Sequence, residues 1–369
     1  MHGRLILAGT AAISLWAAVL TAGQAVDPFA FFEPSVKIAA ADRVRLDRDE
    51  VIVRTLPADD GHVAVFAATR LNARPESLLQ WTRAIESFRQ GQQVVGVGRF
   101  SAPVLDSDLD GLALDEDELN ALRKCRVGKC DLKLGADEIA EAQNAVRAAG
   151  KGWREAAQRA FRRALIARVR LHQERGLLAL PQYADRGRRV SVGEAFSAII
   201  ARSPYLTSAL PKVVNSMLAP PRNPSVDDSF YYWSHDRYGA GRPVVNVTYV
   251  RLLQRTDPGV PQALTISTQL FANHYTEGAV GLTAVTCEAL DTCYLVYLNR
   301  TQADFLGGFF GGFKRSAIEG RIESETPNLL RDVRQRLESG SPGSGHEHSP
   351  NKFAGSAGKA TATKALVPD

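Results

Sequence analysis

Residues 263–275 read ALTISTQLFANHY and alternate with a period of two. Ile266, Thr268, Leu270, Ala272 and His274 share one parity; Ser267, Gln269, Phe271, Asn273 and Tyr275 share the other. Alternation of this kind belongs to a strand with two distinct faces. Two β-rich runs follow, Gly281–Ala289 and Thr292–Thr301, and then the glycines Gly307, Gly308, Gly311 and Gly312 break the pattern. A helical stretch to about Leu337 comes after them. Strands that feed one long terminal helix set the expected class, α+β.

Upstream, Val51–Thr55 and His62–Leu71 read as strands, with Gly61 in the turn between them. A helix starts after Ala73-Arg-Pro-Glu-Ser and runs to about Phe88, with Pro75 in the first turn, where a missing N–H costs nothing. Gln93–Phe100 is strand-like, and Gly96 and Gly98 are positions for a bulge or for close approach of another chain segment. Phe29, Phe31 and Phe32 are expected to pack onto the body. Residues 136–149 and 151–174 are helical by period, and shorter helices follow at 190–200 and 207–218. Asp227–Tyr238 concentrates Phe230, Tyr231, Tyr232, Trp233 and Tyr238 around His235, and Pro243–Arg255 reads as a long strand.

This order forms a helix-grip plan and resembles the START/Bet v 1-like superfamily. That likeness implies a curved antiparallel sheet wrapping a long C-terminal helix around a ligand cavity. Residues 136–218 then form a helical insertion. An NTF2-like cone is the alternative fold. Cys125–Leu134 (CRVGKCDLKL), Tyr231–Ser234, Gln269–Tyr275 and Tyr294–Arg300 also resemble a family of exported bacterial proteins of no assigned activity.

The N-terminus agrees with export. Arg4, the apolar run Leu5–Leu20 and the small residues Thr21, Ala22, Gly23 and Ala25 follow the secretory-signal layout. The apolar run could instead stay as an anchor at the outer face. The domain plan is therefore a signal over 1–25, a single α+β domain over 26–338 and a disordered Gly/Ser/Ala/Lys-rich tail over 339–369. No later run reaches the ~18 apolar residues of a membrane span. The expected location is the periplasm or outer cell envelope. An oxidising compartment makes the close pairs Cys125/Cys130 and Cys287/Cys293 disulfides rather than a metal site, since neither has C-x₂-C spacing.

Composition narrows the function. A net charge of +5 without a localised stripe does not point to nucleic acid. Asp106, Asp108, Asp110, Gly111 and Asp117 match a calcium-loop pattern. The loop ends in Asp rather than the longer bidentate Glu, and no clear helix precedes it, so it reads as an acidic cap of the following helix. No metal and no cofactor is expected. The helix 151–175 carries eight basic residues against Glu155 and Glu174. It reads as a solvated surface helix, with peripheral membrane contact as the functional alternative.

No nucleophile elbow, zinc-protease helix, phosphate loop or dinucleotide fingerprint is present. The candidate ligand residues are His274, Gln269, Tyr275, Tyr249, Tyr297, Arg300 and Trp233, with Asn273 and Asn299 beside them. His274 shares its parity with Ile266 and Leu270, so that face is expected to line the cavity. The small Thr268 and Ala272 leave room on it, and the helix after Gly312 would close over it. The functional expectation is an exported binding protein for an apolar or lipid-like small molecule. An envelope enzyme acting through His274 and a non-catalytic interaction module are the alternatives. N-terminal sequencing of envelope-derived protein should start at Gln24 or Val26; a full-length cytosolic product would end the export reading.

Overall fold

The computed structural model describes residues 27–58, 61–91, 93–221, 228–237, 241–256, 259–289, 292–306 and 311–342. The signal-like segment, Tyr238, Gly307, Gly308 and most of the tail lie outside these residues. Eight strands form one sheet: β1 (Ile52–Thr55), β2 (His62–Leu71), β3 (Val94–Arg99), β4 (Ser229–Asp236), β5 (Val244–Gln254), β6 (Ala263–Ala272), β7 (Thr276–Ala289) and β8 (Thr292–Ala303). Their order is β1-β2-β8-β7-β6-β5-β4-β3, and every neighbouring pair is antiparallel. The last strand thus returns beside β2. With a long helix after it, this layout is consistent with the helix-grip plan.

Helices cover the sheet unequally. α1 (Ala40–Asp47) precedes β1, and α2 (Glu76–Arg83) and α3 (Ile85–Phe88) join β2 to β3. Six more lie between β3 and β4: α4 (Glu116–Lys124), α5 (Ala136–Ala149), α6 (Trp153–Arg175), α7 (Val192–Ala201), α8 (Pro204–Ala209) and α9 (Pro211–Leu218). The inserted segment is therefore wider than 136–218, because the structured chain between the strands already includes a 3-10 turn at Asp106–Leu109 and α4. α1 gives little sequence signal, since only Leu46 of it is buried. The terminal helix is α10 (Gly311–Glu338).

Among the described residues two large cores form, one on each face, with a small third cluster of Val63, Ala303 and Leu306. On the insertion face, Ala64, Phe66, Tyr249, Ile266, Leu270, Val296 and Leu298 pack with Phe161, Leu165, Phe196 and Ile199 of the inserted helices. Phe29, Phe31 and Phe32 join this core as expected. On the opposite face, Ala67, Val250, Leu252, Val285 and Leu295 pack with Leu78 and Leu79 of α2 and with Leu330 and Leu337 of α10. α10 lies along β1 and β2, with Thr55 bonded to Glu323 and the Trp81 indole donating to the Gly340 carbonyl.

A bulge in β6 changes the expected parity. Thr248 pairs with Gln269 but Val247 pairs with Phe271, so Leu270 is the extra residue. Beyond it Phe271 turns to the insertion face, its ring 5.9 Å from Phe161 and 6.3 Å from Tyr183. Ile266, Leu270 and Phe271 are consequently all packed under the inserted helices, His274 falls beyond the end of β6, and α10 lies on the other face.

The expectation of α6 as a solvated surface helix is corrected. Phe161, Leu165, Arg168, Val169 and His172 are all buried on it. Its exposed arginines meet acidic neighbours: Arg154 bonds Glu116, Arg163 bonds Glu141, and Arg162 and Arg170 face Asp110 and Asp106. The charge that suggested a membrane surface is thus largely paired within the fold. The acidic loop has other engagements too. Asp108 accepts from the Ser101 and Leu105 backbone N–H groups at 3.0 and 2.8 Å, and Asp115 caps α4 by accepting from the Glu118 N–H at 2.9 Å. The Trp233 indole donates to the Asp108 carbonyl at 2.8 Å. Its ring lies against Gly96 and Gly98, where an added Cβ would come within 3.2 and 2.6 Å of it.

The cysteines pair neighbour with neighbour. Cys125 and Cys130 are at disulfide distance, their Cα atoms 4.3 Å apart, and they bracket the small antiparallel bridge between Arg126 and Lys129. Cys287 and Cys293 are also at disulfide distance. They stand directly opposite each other in the β7–β8 ladder, next to the turn, with Cα atoms 4.0 Å apart.

Arg168 is wholly buried, forked onto Glu138 at 2.6 and 2.7 Å, with its guanidinium 5.2 Å from the Tyr183 ring and 5.0 Å from Phe271. Removing one partner of such a pair strands the other charge. Arg168→Ala should cost ~3–5 kcal/mol in urea unfolding, and Arg168→Met with Glu138→Leu should recover most of it. A loss below ~1 kcal/mol for the single change would show that the pair does not anchor the insertion.

Candidate functional site

The central strands show a burial pattern that an ordinary covered sheet lacks. On β6, β7 and β8 one parity is buried, while the other, buried at the hairpin end, is only partly buried at Ser267 and Gln269, Gly281 and Thr283, Tyr297, Asn299 and Thr301. These residues lie on the α10 face, where α10 itself keeps to the β1–β2 side. Register places Ser267 opposite Gly281 and Gly281 opposite Asn299. A Cβ on Gly281 would sit 3.4 Å from Asn299 Nδ2 and 3.7 Å from the Ser267 Cβ. Gly281 therefore leaves a shallow hollow between two polar side chains.

A hydrogen-bonded chain borders this floor. Arg89 donates to Asp236 at 2.8 Å, and Ser234 and Asn246 donate to the same carboxylate at 2.7 and 3.1 Å. Gln269 donates to Asn246 Oδ1 at 2.8 Å and accepts from Thr276 Oγ1 at 2.9 Å. On the far side Thr301 donates to Asn299 Oδ1 at 2.7 Å. Burial pushes the Tyr297 hydroxyl up to about 12, against the opposing pull of the Arg89 charge. The floor thus offers amides, hydroxyls and a neutralised ion pair. It can hold a ligand by hydrogen bonds.

The candidate residues named from the sequence divide between the faces. Gln269 and Tyr297 lie on the open floor. Tyr249 and Trp233 belong to the insertion-side core. Arg300 is buried on that side beside Tyr205 of α8. His274 is 6% exposed, and burial together with the Arg242 charge pushes its pKa down to about 4. Tyr275 is exposed in the β6–β7 turn at φ 65°, its hydroxyl accepting from the Arg242 N–H at 3.3 Å. The cysteines take no part in the floor. Cys125 and Cys130 sit in the inserted segment, where Cys130 packs against the insertion-side core. Cys287 and Cys293 pack in the opposite core at the hairpin end of β7 and β8, where Cys293 also pairs with Leu71 of β2. Arg89, Ser234, Asp236, Thr276 and Gly281 were not anticipated. The polar parity of 265–269 and 281–283 was their only sequence signal.

A second polar arrangement joins the insertion to the sheet. Asn273, fully buried, donates from Nδ2 to Glu118 Oε1 and accepts the Val245 N–H, both at 2.8 Å. His235 Nε2 lies 3.7 Å from Glu118 Oε2, beyond hydrogen-bond reach. Burial pushes the Glu118 carboxyl up to about 7 and holds His235 below its ordinary value. Nearby Lys133 is buried and pairs with Asp304 at 3.1 Å. Among the described residues no group of three or more His, Cys, Asp or Glu is disposed to hold a metal ion.

No protein-family model matches the chain, and no curated protein matches it. Among solved structures it is similar to the Zhui aromatase/cyclase from Streptomyces sp. R1128, at 14% identity and a TM-score of 0.23. The match covers 40% of this chain and 86% of that one. A likeness at this level bears on neither site nor activity, so the functional reading rests on the geometry above.

Glu118 gives a pH test. Its pKa is raised on folding, so its contribution is fully present below the unfolded carboxyl value and is lost as pH rises through about 7. The stability of Glu118→Gln relative to wild type should rise by roughly 2 kcal/mol between pH 5 and pH 8 in urea melts. A difference that stays flat over that range would place the Glu118 carboxyl at its ordinary pKa.

Proposed function

We propose that the chain is an exported binding protein that holds a small molecule on the α10 face of its sheet. The observation that carries this reading is the row of partly exposed polar residues on β6, β7 and β8. An antiparallel sheet can leave one face to solvent, and a row of amides and hydroxyls left partly open over its central strands also suits a ligand. Val250, Val285 and Leu295 adjoin the floor and supply apolar surface. The fitting ligand has an apolar body and hydroxyl or carbonyl groups that meet Gln269 and Asn299. Binding rather than turnover is the reading the floor's chemistry supports, and His274 lies apart from it, beyond the end of β6 beside Asp131 of the inserted segment. The cysteine pairs Cys125–Cys130 and Cys287–Cys293 are compatible with export, and no described helix is long and apolar enough to cross a membrane.

Gly281→Leu tests the site directly. The backbone there accepts a side chain, and leucine would fill the hollow with only ordinary contacts at its Cβ. Native mass spectrometry of protein isolated from its own envelope should show a bound mass in wild type. The mass should be absent in Gly281→Leu, with an unchanged urea midpoint. A clean apo mass for wild type, or a ligand retained by Gly281→Leu, would defeat the proposal.

A further inference from the structure

Most arginines of α6 meet carboxylates, but the cations of a neighbouring turn do not. Residues 123–129 read RKCRVGK, with four cations and no acid. Arg123 and Lys124 lie in the last turn of α4, and the turn after them is clasped by Cys125 and Cys130. Arg126 and Lys129 exchange both backbone hydrogen bonds at 2.9 Å, and Gly128 takes the φ of 81° that such a turn requires. A second loop adjoins this one. The Gly128 and Cys130 N–H groups donate to the Ala184 and Asp185 carbonyls at 2.7 and 2.9 Å. That loop carries Arg186, Arg188 and Arg189 between the bridged residues Tyr183 and Val190. We infer that these two loops form a docking surface for an anionic lipid bilayer.

Charge is the first support. Arg123, Lys124, Arg126, Lys129 and Arg189 are exposed, and among the described residues none of them forms an ion pair with a carboxylate. Arg126 donates to the Cys125 carbonyl and to the Gln143 side chain, both at 2.6 Å, which leaves its charge uncompensated. Arg186 and Arg188 do reach carboxylates, Asp304 at 3.5 Å and Glu277 at 3.0 Å, and these contacts fasten the loop to the end of the sheet. Asp185 and Glu277 are buried, and the exposed Asp131 lies 3.8 Å from Arg242. The face that the two loops turn to solvent is therefore cationic, as an anionic leaflet requires.

The second support is apolar. Val127 is 55% exposed at the tip of the turn, between Arg126 and Lys129. An aliphatic side chain flanked by cations suits the boundary between headgroups and acyl chains, whereas a dissolved polyanion would leave it in water. The third is rigidity. The clasp, the backbone bridge and the bonds to Ala184 and Asp185 hold the cations in place beforehand, so docking orders little more of the chain. This surface belongs to the insertion and is separate from the floor around Gly281, so it stands whether or not that floor takes a ligand.

Co-sedimentation of the chain isolated from its own envelope tests the surface. The vesicles are phosphatidylglycerol and phosphatidylcholine in equal parts, and phosphatidylcholine alone. Binding to the anionic vesicles only, weakened by added salt, is expected. Lys129→Gln with Arg189→Gln should lower it about thirtyfold, since each cation near the leaflet contributes about fivefold. Val127→Ser should lower it about fivefold. The urea midpoint should not move in these variants, because the changed side chains are exposed. Gly281→Leu should leave vesicle binding unchanged. Equal binding to both vesicle types would place the contact in an apolar segment and overturn the assignment. So would no binding to either, loss of binding in Gly281→Leu, or indifference to the paired Gln change. A full response to the paired change with none to Val127→Ser would also overturn it, by marking a soluble polyanion as the partner.

Discussion

The pairing of β2 with β8 is the constraint on which the rest of the structure depends. It joins His62–Leu71 to residues 293–302, so the two ends of the domain share one ladder. Loop closure over such a distance is entropically unfavourable, and the hydrogen-bonded ladder together with burial on both faces offsets it. Phe66, Ala67 and Ala68, paired with Leu298, Tyr297 and Val296, lie at its centre. Once β8 is fixed beside β2, β7, β6, β5, β4 and β3 follow outward as successive antiparallel neighbours. The chain after β8 then has β1 and β2 directly at hand, and α10 packs there.

The two faces of that sheet receive unequal cover. Everything between β3 and β4 packs on one side, where α6 supplies a buried spine held by the Arg168–Glu138 fork. Among the described residues the other side has only α2, α3 and α10: α10 lies along β1 and β2, α3 against β3, and α2 over the hairpin end of β5 and β6. An uncovered sheet face must be polar enough to meet water or a ligand. Ser267, Gln269, Thr283, Asn299 and Thr301 supply that polarity, and Gly281 supplies depth. The proposed binding surface is thus a consequence of where the helices are.

Buried polar groups tie the insertion to the sheet at specific points. Asn273 satisfies the Val245 N–H and the Glu118 carboxyl together, and Lys133 reaches Asp304 at the end of β8. Such contacts are costly to leave half-made, so they hold the insertion in one register on the sheet. They also explain why His274 is not a cavity residue. Its strand end is already occupied by the loop that carries Asp131 and Lys133, whose N–H bonds the Asn273 carbonyl at 2.9 Å.

The sequence by itself indicated most of the strands, the terminal helix, the pairing of Cys125 with Cys130 and of Cys287 with Cys293, and Gly96 and Gly98 as places of close approach, whereas the structure supplied β4 and Trp233 as what approaches them. Those features are local: alternation, spacing and missing side chains announce them within a few residues. Tertiary structure decided which parity faced which layer. Period-two alternation distinguishes two faces without saying what covers either, and the bulge at Leu270 reverses the parity beyond it. It also decided that α6 is buried, because its arginines are matched by Glu116, Glu138 and Glu141 from other helices. The Glu118–Asn273 contact spans 155 residues of chain, and no local pattern encodes a meeting at that distance.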